Sequence, residues 1–384
     1  MSKSRARFFP ALIAVFSLAL LLPAPLHAAS VSIPSLDLVT RGYEDTLLGV
    51  FTLATYGDIE LSFDGGVKFG GKIELQYLDQ ILELPSMTSL TLKGVSFSIN
   101  ELFSLPLSFS WFVGQNDIFC NGEDFTRVFG APLIASHYTG FMYFPTGPVY
   151  DGIYTVKGTG GRLDFFPNRE HMLLSLFVYE DTHFTFQTPV PILLPGIYSA
   201  DIRALMDFGA VRIEGFIGGT YSPLFPGTYG LYRGGLLFYA SGGDVVEFLL
   251  QAGIPQWDPA SSPALTIGNF YLLIEPRLHL GLFSFVPTFF LRPGVYEQFP
   301  TGENGSFDVN LDLFFGNVDE YGFRAGLESR IAFSGATNGF SFVESPYVSF
   351  LSFGLQWDFK LDVALAFPFT LSNLSGMVGV QASF

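Results

Sequence analysis

The sequence predicts an all-β protein: a closed antiparallel transmembrane β-barrel of about 16 strands, within a range of roughly 14 to 18. Three observations predict this fold. Apolar side chains alternate with charged ones at a period of two, the alternating segments run for ten to twelve residues, and 49% of the 384 residues are apolar while only 14% are charged. Soluble domains average about 25% charged residues. The aromatic content of 17% excludes a disordered chain.

Residues 1–30 are typical of a cleaved signal peptide, so we expect a single barrel domain over residues 31–384. Three basic residues precede an apolar run of twelve residues, Ala11 to Leu22. This run is shorter than the roughly 20 residues that cross a bilayer as a helix. The small residues Ala28 and Ser30 offer two cleavage positions. An uncleaved anchor is the alternative, and cleavage predicts an exported protein.

The charge balance of the mature chain excludes one class of partner. Cleavage leaves 16 of the 19 basic residues against 35 acidic residues, a net charge of −19. Such an excess of negative charge opposes binding to nucleic acid. The only cysteine, Cys120, has no partner for an intramolecular disulfide.

Long uncharged stretches of the mature chain test the alternative of a helical membrane protein. The stretches Thr182–Ala200, Gly215–Tyr232 and Val363–Phe384 all contain proline. Proline in a helix interior removes a hydrogen bond and clashes with the preceding turn. With 42 glycines and 24 prolines in the chain, a polytopic helical protein is disfavoured.

Alternation at period two gives each strand one apolar face and one polar face, because successive side chains of a strand point to opposite sides. Phe307, Leu311 and Phe315 share one parity, while Asp308 and Asp312 share the other. Strands of a soluble sandwich average about 5–6 residues, whereas membrane-spanning strands need roughly 9–11. The length therefore favours a barrel whose apolar face meets lipid. The predicted lumen lining comprises Lys68, Lys72, Glu74, Asp308, Asp312, Arg324, Glu328, Arg330, Asp358 and Lys360.

Three details of the strand assignment depend on local patterns. A change of parity at Lys93–Gly94 predicts a β-bulge. Leu48–Thr55 and Asp58–Asp64 are predicted as separate strands. Tyr347–Ala366 is either one very long strand or a hairpin whose turn has no visible sequence signal.

The C-terminus carries an alternation of apolar residues that is typical of a known protein family. The chain ends with Gly379, Val380, Ala382 and Phe384 in an apolar alternation that finishes on an aromatic residue. This resembles the C-terminal signal of bacterial outer-membrane β-barrels, although Ala382 is small and Val378 stands where a polar residue is usual. The resemblance implies insertion into the outer membrane by the barrel-assembly machinery. The Phe- and Gly-rich texture is also similar to barrel proteins of spirochaetes.

Residues 115–137 form the longest early loop and follow the fifth predicted strand. In the general-porin family, the loop after strand five folds into the channel and narrows it. By this positional resemblance, Asp117, Glu123, Asp124 and Arg127 are the candidate constriction residues. A solvated surface loop is the alternative.

No catalytic, cofactor or metal motif is present, so the sequence predicts neither an enzyme nor a bound cofactor. The four histidines of the mature chain show no metal-ligand spacing, and there is no Cys pair. A barrel hydrolase is a further alternative, for which His171 and His279 could serve; the other interpretation is that they are structural histidines at the membrane interface or in the lumen.

The leading expectation, which rests on the porin-like resemblance, is a pore for passive diffusion of small solutes that prefers cations. The alternatives are a transporter of hydrophobic, fatty-acid-like ligands and a closed structural or adhesin barrel. The expected partners are outer-membrane lipid, the assembly machinery and small solutes. The sequence predicts no oligomeric state.

Overall fold

A computed structural model of the chain describes residues 30–45, 50–64, 68–79, 88–138, 152–182, 185–186, 192–193, 196–221, 230–259, 264–296, 305–334, 339–366, 370 and 373–383. The predicted signal peptide lies outside the described residues, except for Ser30. In the part of the chain that the structure describes, no helix has the length and apolar character needed to span a bilayer.

Among the residues that the structure describes, almost all of the regular structure consists of strands. They are β1 (Ser30–Asp45), β2 (Val50–Asp64), β3 (Phe69–Asp79), β4 (Thr88–Ile99), β5 (Leu107–Phe119), β6 (Tyr154–Asn168), β7 (Met172–Asp181), β8 (Thr185–Phe186), β9 (Ile192–Leu193), β10 (Tyr198–Asp207), β11 (Val211–Tyr221), β12 (Gly230–Ser241), β13 (Val246–Trp257), β14 (Tyr271–Leu280), β15 (Phe283–Arg292), β16 (Ser306–Asn317), β17 (Phe323–Ser334), β18 (Gly339–Ser352), β19 (Leu355–Ala364) and β20 (Leu374–Ser383). The helices are α1 (Glu123–Phe129) and the single turn α2 (Val318–Tyr321), with short 3₁₀ turns at Leu102–Ser104, Ile267–Asn269 and Gly294–Tyr296.

Within the described residues, eighteen strands form one closed antiparallel sheet. Each strand pairs with its neighbour in the chain, β7 pairs with β10, and β1 pairs with β20 to close the barrel. The short strands β8 and β9 form a separate hairpin between β7 and β10. The predicted fold class, a closed antiparallel transmembrane barrel, is confirmed.

The strand number is eighteen rather than about sixteen, still inside the expected range. Strand β1 was not predicted, because a register shift between Ser32 and Ser35 interrupts its alternation of apolar and polar residues. It also divided β2, a single strand from Val50 to Asp64, into two. One missed strand and one divided strand offset each other in number, so these two differences change the positions of the predicted strands and not their count.

The ambiguous segment Tyr347–Ala366 is a hairpin formed by β18 and β19. Its turn lies at Phe353 and Gly354, both of which have positive φ (56° and 75°). A two-residue hairpin turn of type I′ requires positive φ at both central positions, for which Asn-Gly or Gly-Gly is the usual sequence. Phenylalanine is unusual there, so the residues of this turn carry no recognisable turn signal.

The predicted bulge at Lys93–Gly94 is confirmed. Glu74 pairs with Gly94 and the next residue, Leu75, pairs with Leu92, so that Lys93 is the extra residue of β4. The extra residue shifts the alternation by one position. Apolar side chains therefore stay on one face of β4 and polar side chains on the other, both before and after the bulge.

The two faces of the wall differ in chemistry as the alternation predicted. On β16, Phe307, Leu311 and Phe315 are exposed on the outside, while Asp308 and Asp312 are almost fully buried inside the barrel. The same division holds for β17, where Leu327 is exposed and Glu328 is buried. An apolar outer wall is what contact with lipid requires.

The two ends of the barrel differ in the length of their connections. Ser35 of β1 pairs with Ser383 of β20, so both terminal strand ends lie at one end, which we call the turn end. Short turns such as residues 208–210 and 281–282 join the strands there. The opposite end, which we call the loop end, has longer connections such as 120–153 and 258–270.

A charge on the outer wall tests the membrane-facing assignment. Leu311, at the centre of β16, is 37% exposed on the outside. We expect Leu311→Arg to lower the free energy of unfolding in lipid by about 2–4 kcal/mol, because an arginine at mid-bilayer must leave water.

The matched control is Phe315→Arg on the same face near the turn end, which we expect to cost only about 0–1 kcal/mol because interfacial arginine stays hydrated. Denaturant titration in lipid vesicles measures both values. Equal costs at the two positions would contradict the assignment of the outer face to lipid.

Candidate constriction segment and lumen wall

Residues 120–138, which follow β5, fold back into the barrel instead of extending from its rim. We call residues 120–138 the inner segment. The Cys120 backbone N–H donates to Glu214 of β11 (2.7 Å), and the Tyr138 hydroxyl donates to Asp308 of β16 (2.8 Å). Because Glu214 and Asp308 project inward from different parts of the wall, the inner segment must run through the interior.

Helix α1 lies within this inner segment. Gly122 before the helix and Gly130 after it both have positive φ (90° and 69°), a conformation that glycine adopts without steric cost. Asp124 and Phe125 are buried, whereas Glu123 and Arg127 on the opposite side of the helix are exposed within the barrel. The helix therefore has one face packed on the wall and one charged face directed at open space.

A fully buried arginine fixes the packed face of α1. Arg203 of β10 donates through Nη1 to Asp124 and through Nε to Glu214 (2.7 Å). Burial acts to raise the pKa of Asp124, but Arg127 and Arg203 outweigh it and hold that pKa well below its usual range. Asp124 is therefore ionised, and its charge is compensated by two cations in a poorly hydrated site.

A second ion-pair network continues from α1 into β5 and β6. Arg127 Nη2 lies 2.5 Å from one carboxylate oxygen of Asp117, and Arg162 Nη1 lies 2.8 Å from the other. Arg162 Nε also donates to Asp164 (2.7 Å). Buried charges of opposite sign are strongly coupled, so this network holds the start of the inner segment against the wall.

The predicted loop 115–137 begins later than expected, because β5 extends to Phe119 and places Asp117 on the wall. The four candidate constriction residues are nevertheless close together. Asp117, Asp124 and Arg127 share ion pairs, and Glu123 lies beside them on the exposed side of α1. That these four residues limit solute passage remains a prediction.

Aromatic side chains fill the space between the inner segment and the wall strands behind it. Phe119 packs against Phe216 (ring centroids 4.8 Å apart) and against Phe177 (5.2 Å). Tyr271 packs against Phe290 (5.0 Å), next to Tyr138 of the inner segment. The largest buried apolar cluster of the described residues is therefore inside the barrel, and it occupies one side of the lumen.

The wall formed by β2, β3 and β4 has a different character. Lys72 contacts Glu60 (3.1 Å) and Glu74 (2.5 Å), and Lys93 contacts Asp58 (2.6 Å). All five side chains are partly exposed, between 16% and 27%. They are charged groups that stay hydrated, on a part of the wall that aromatic packing does not cover.

The exposed face of α1 and this charged wall face one another. Glu123 is close enough to Lys72 and Lys93 to interact with them electrostatically, and Arg127 is close enough to Lys72. The ion pairs of the two lysines nevertheless go to carboxylates of their own wall. We call the space between α1 and strands β2–β4 the charged gap.

The remaining predicted lumen residues lie on strands β16–β19, with one exception. Lys360 pairs with buried Glu328 (2.5 Å), and Asp312 accepts a hydrogen bond from Tyr347 (3.0 Å). Arg324 lies 5.1 Å from the ring centroid of Tyr347. Asp308 accepts from Tyr138, Asp358 accepts from Gln356, and Arg330 is half-buried. The exception is Lys68, which is exposed in the turn before β3 rather than on the wall.

The sequence reading left out the inward charges of the middle strands. Arg203 and Asp201 of β10 and Glu214 of β11 are fully buried, and Arg233 of β12 donates to Asp201 (2.6 Å). These residues alternate with exposed apolar ones such as Ile202. The parity rule applied to β3 and β16 therefore contained the signal that could have identified them.

The C-terminal residues form the last strand of the barrel. Gly379 pairs with Val39, Val380 with Leu38 and Ala382 with Leu36, all across the closure between β1 and β20. Phe384 lies outside the described residues. Recognition of these residues by an assembly machinery stays a prediction.

The fold defines the class of protein as an eighteen-strand transmembrane β-barrel. No family model matches the chain, and no curated protein matches it. Among solved structures, it is similar to OprD of Pseudomonas aeruginosa, with a TM-score of 0.55 and 8% identity over 94% of this chain and 96% of that one.

Two further structures of Pseudomonas aeruginosa show the same likeness. OccK2 (OpdF) has a TM-score of 0.54 at 9% identity, covering 93% of this chain and 97% of that one. OpdK with vanillate has a TM-score of 0.51 at 9% identity, covering 94% and 99%. At such low identity these likenesses show a shared fold.

Removal of Arg203 tests the attachment of α1. We expect Arg203→Gln to speed amide hydrogen exchange of the inner segment by on the order of a hundredfold, because it leaves Asp124 and Glu214 buried without their shared cation. Exchange measured by mass spectrometry on the folded barrel reports this change.

The control is Arg169→Gln, which removes an exposed ion pair with Glu101 in a turn at the turn end. We expect no effect on the inner segment, because exposed pairs contribute little. If both variants left its exchange unchanged, Arg203 would not hold α1 in place.

Proposed function

We propose that the protein is an outer-membrane channel through which small hydrophilic solutes diffuse passively, with a preference for cations. One observation carries the proposal: among the residues that the structure describes, the inner segment packs against one side of the barrel and leaves a charged gap on the other. Packed aromatic residues line the first side, whereas partly exposed ions such as Lys72 and Glu60 line the second.

The charges of the gap suit a hydrated path. Each lysine of this wall has a carboxylate neighbour at 3.1 Å or less, so neither charge is isolated. The side chains remain accessible, and exposed pairs of this kind bind solutes weakly because water screens them. A lining that solvates ions without holding them is what diffusion through a pore requires.

The cation preference follows from the balance of charge around the gap. Strands β2–β4 place Asp58, Glu60 and Glu74 on the inner face against Lys72 and Lys93. On the other side, Glu123 is exposed, while the charge of Arg127 is compensated by two aspartates. The net negative potential raises the local concentration of cations.

Location and assembly are part of the same proposal. We infer export through the predicted signal peptide, insertion by the barrel-assembly machinery through β20, and a final position in the outer membrane. The apolar outer wall and the likeness of fold to OprD support this location. Bacterial barrels have short periplasmic turns and longer extracellular loops, so the turn end would face the periplasm.

The buried aromatic cluster weighs against the alternative of a hydrophobic-ligand transporter. Phe119 contacts both Phe177 and Phe216, and all three side chains are at most 3% exposed. Aromatic side chains inside the barrel thus attach the inner segment to the wall, and their surfaces are already covered by protein.

Reconstitution in a planar bilayer tests the channel and its selectivity. We expect discrete conductance steps and a reversal potential of the sign for cations in a salt gradient. Glu123→Gln should shift that potential towards zero because it removes an exposed charge from the gap. A barrel without conductance would contradict the proposal, and an anion-selective one would contradict the preference.

The control for this substitution is Glu170→Gln, which removes the same charge from an exposed turn at the turn end. We expect its reversal potential to match that of the unmodified protein, because the screening length at about 0.1 M salt is about 10 Å. An equal shift in both variants would assign selectivity to overall charge rather than to the gap.

The pH dependence of selectivity provides a separate test. Enclosure of α1 by the barrel and the adjacent carboxylate of Asp124 raise the pKa of Glu123 above its ordinary value of 4.5. Its negative charge is present above that raised pKa and is lost as the pH falls through it. As the pH is lowered, the cation preference should therefore weaken at a higher pH than it would if Glu123 had an ordinary pKa. Glu123→Gln should abolish the part of the pH dependence that Glu123 causes.

A further inference from the structure

The outer wall carries a groove of about 530 Å³ where the barrel closes between β1 and β20. Gly42 of β1 and Gly376 of β20 form its floor, and the two residues are direct partners in the register of the closing pair. A pair of residues without side chains therefore interrupts the apolar outer wall at this closure.

Apolar side chains form the two sides of the groove. Leu53 of β2 pairs with Gly42 on one side, and Leu361 of β19 pairs with Gly376 on the other. Phe359 and Val378 continue the lining along the strands. Leu53, Leu361 and Val378 are 44–48% exposed, as expected for residues on the outer face.

The two glycines differ in how much free space lies above them. A Cβ atom at Gly42 would lie 2.6 Å from the ring of Phe51, so this glycine lets that ring pack against β1. A Cβ atom at Gly376 would meet nothing within 4 Å. The floor at Gly376 is consequently open, and a side chain placed there would occupy the groove.

The position and size of the groove select its occupant. It lies on the apolar outer face near the loop end, where the surroundings are membrane lipid, and Thr40 is the one polar outward side chain of its lining. Twelve residues line it, whereas a stable interface between two proteins uses about 20–30 residues a side. A second copy of the chain would need far more surface than this.

The geometry points to a binding site for one acyl chain of a membrane lipid, seated over Gly42 and Gly376 and held between Leu53 and Leu361. This site is independent of the proposed channel, because it depends only on the outer wall. An acyl chain bound there touches strands on both sides of the closure and adds apolar contacts outside the barrel to a pair that backbone hydrogen bonds and a Gln381–Asp37 hydrogen bond (3.3 Å) already hold.

Photolabelling tests the site on the full barrel in phosphatidylcholine vesicles. The probe is a phosphatidylcholine with a diazirine at the middle of one acyl chain. We expect its adducts, mapped by mass spectrometry, to concentrate on Leu53, Leu361 and Val378 relative to the exposed wall residues Ile202 and Ile217. Even labelling around the wall would overturn the proposal.

Filling the groove provides the matched comparison. We expect Gly376→Leu to reduce labelling of Leu53 and Leu361 about tenfold, which corresponds to burial of roughly two methylene groups. Gly215→Leu is the control, because Gly215 lies on the outer face of β11 and a Cβ there meets only ordinary contacts at 3.8–3.9 Å. Groove labelling that persists in Gly376→Leu would contradict the assignment.

Two further measurements keep these outcomes distinct. Heat-modifiable mobility on a denaturing gel reports whether each variant has folded, and the labelling map of the unmodified protein is decisive even if Gly376→Leu fails to fold. Light scattering reports the number of copies. A dimer whose groove is protected from the probe would assign the groove to a second copy and overturn the lipid site.

Discussion

The structure depends on one constraint: a strand inside a bilayer has no water to satisfy its backbone groups, so both edges of every strand must be paired. The β1–β20 pair meets this requirement for the two strands that are furthest apart in the chain. Closure then fixes which face is the interior, and with it the side of the wall on which the charged residues of the strands lie. The bulges in β1 and β4 are tolerated because they return side chains to the correct face of the wall while the strands on both sides stay paired.

The interior shows a second constraint, which is that a buried charge needs a partner. Arg203, Asp124 and Glu214 are nearly inaccessible to solvent, and breaking such a set costs about 3–5 kcal/mol. The aromatic cluster around Phe119 lowers the polarity near these ions and so strengthens their coupling. Aromatic packing and ion pairing thus cooperate to hold the inner segment on one side of the barrel.

The sequence predicted much of the fold because strand parity is a local property. Alternation identified the inner and outer faces of β16, and a change of parity located the bulge at Lys93. The turn at Phe353–Gly354 was not predicted, because phenylalanine seldom adopts positive φ. The partners of the inner segment were not predicted for a different reason: Asp124 and Arg203 are 79 residues apart, and only the closed topology brings them together.

The distribution of charge connects these constraints to the proposed channel. Arginines whose guanidinium groups are enclosed, such as Arg162 and Arg203, each contact two carboxylates, so their positive charges are compensated within the packed side of the barrel. Lys72 and Lys93, whose ammonium groups are compact and strongly hydrated, lie on the open wall. Charges on the packed side therefore stabilise the fold, whereas those that line the charged gap remain accessible and can interact with a passing ion.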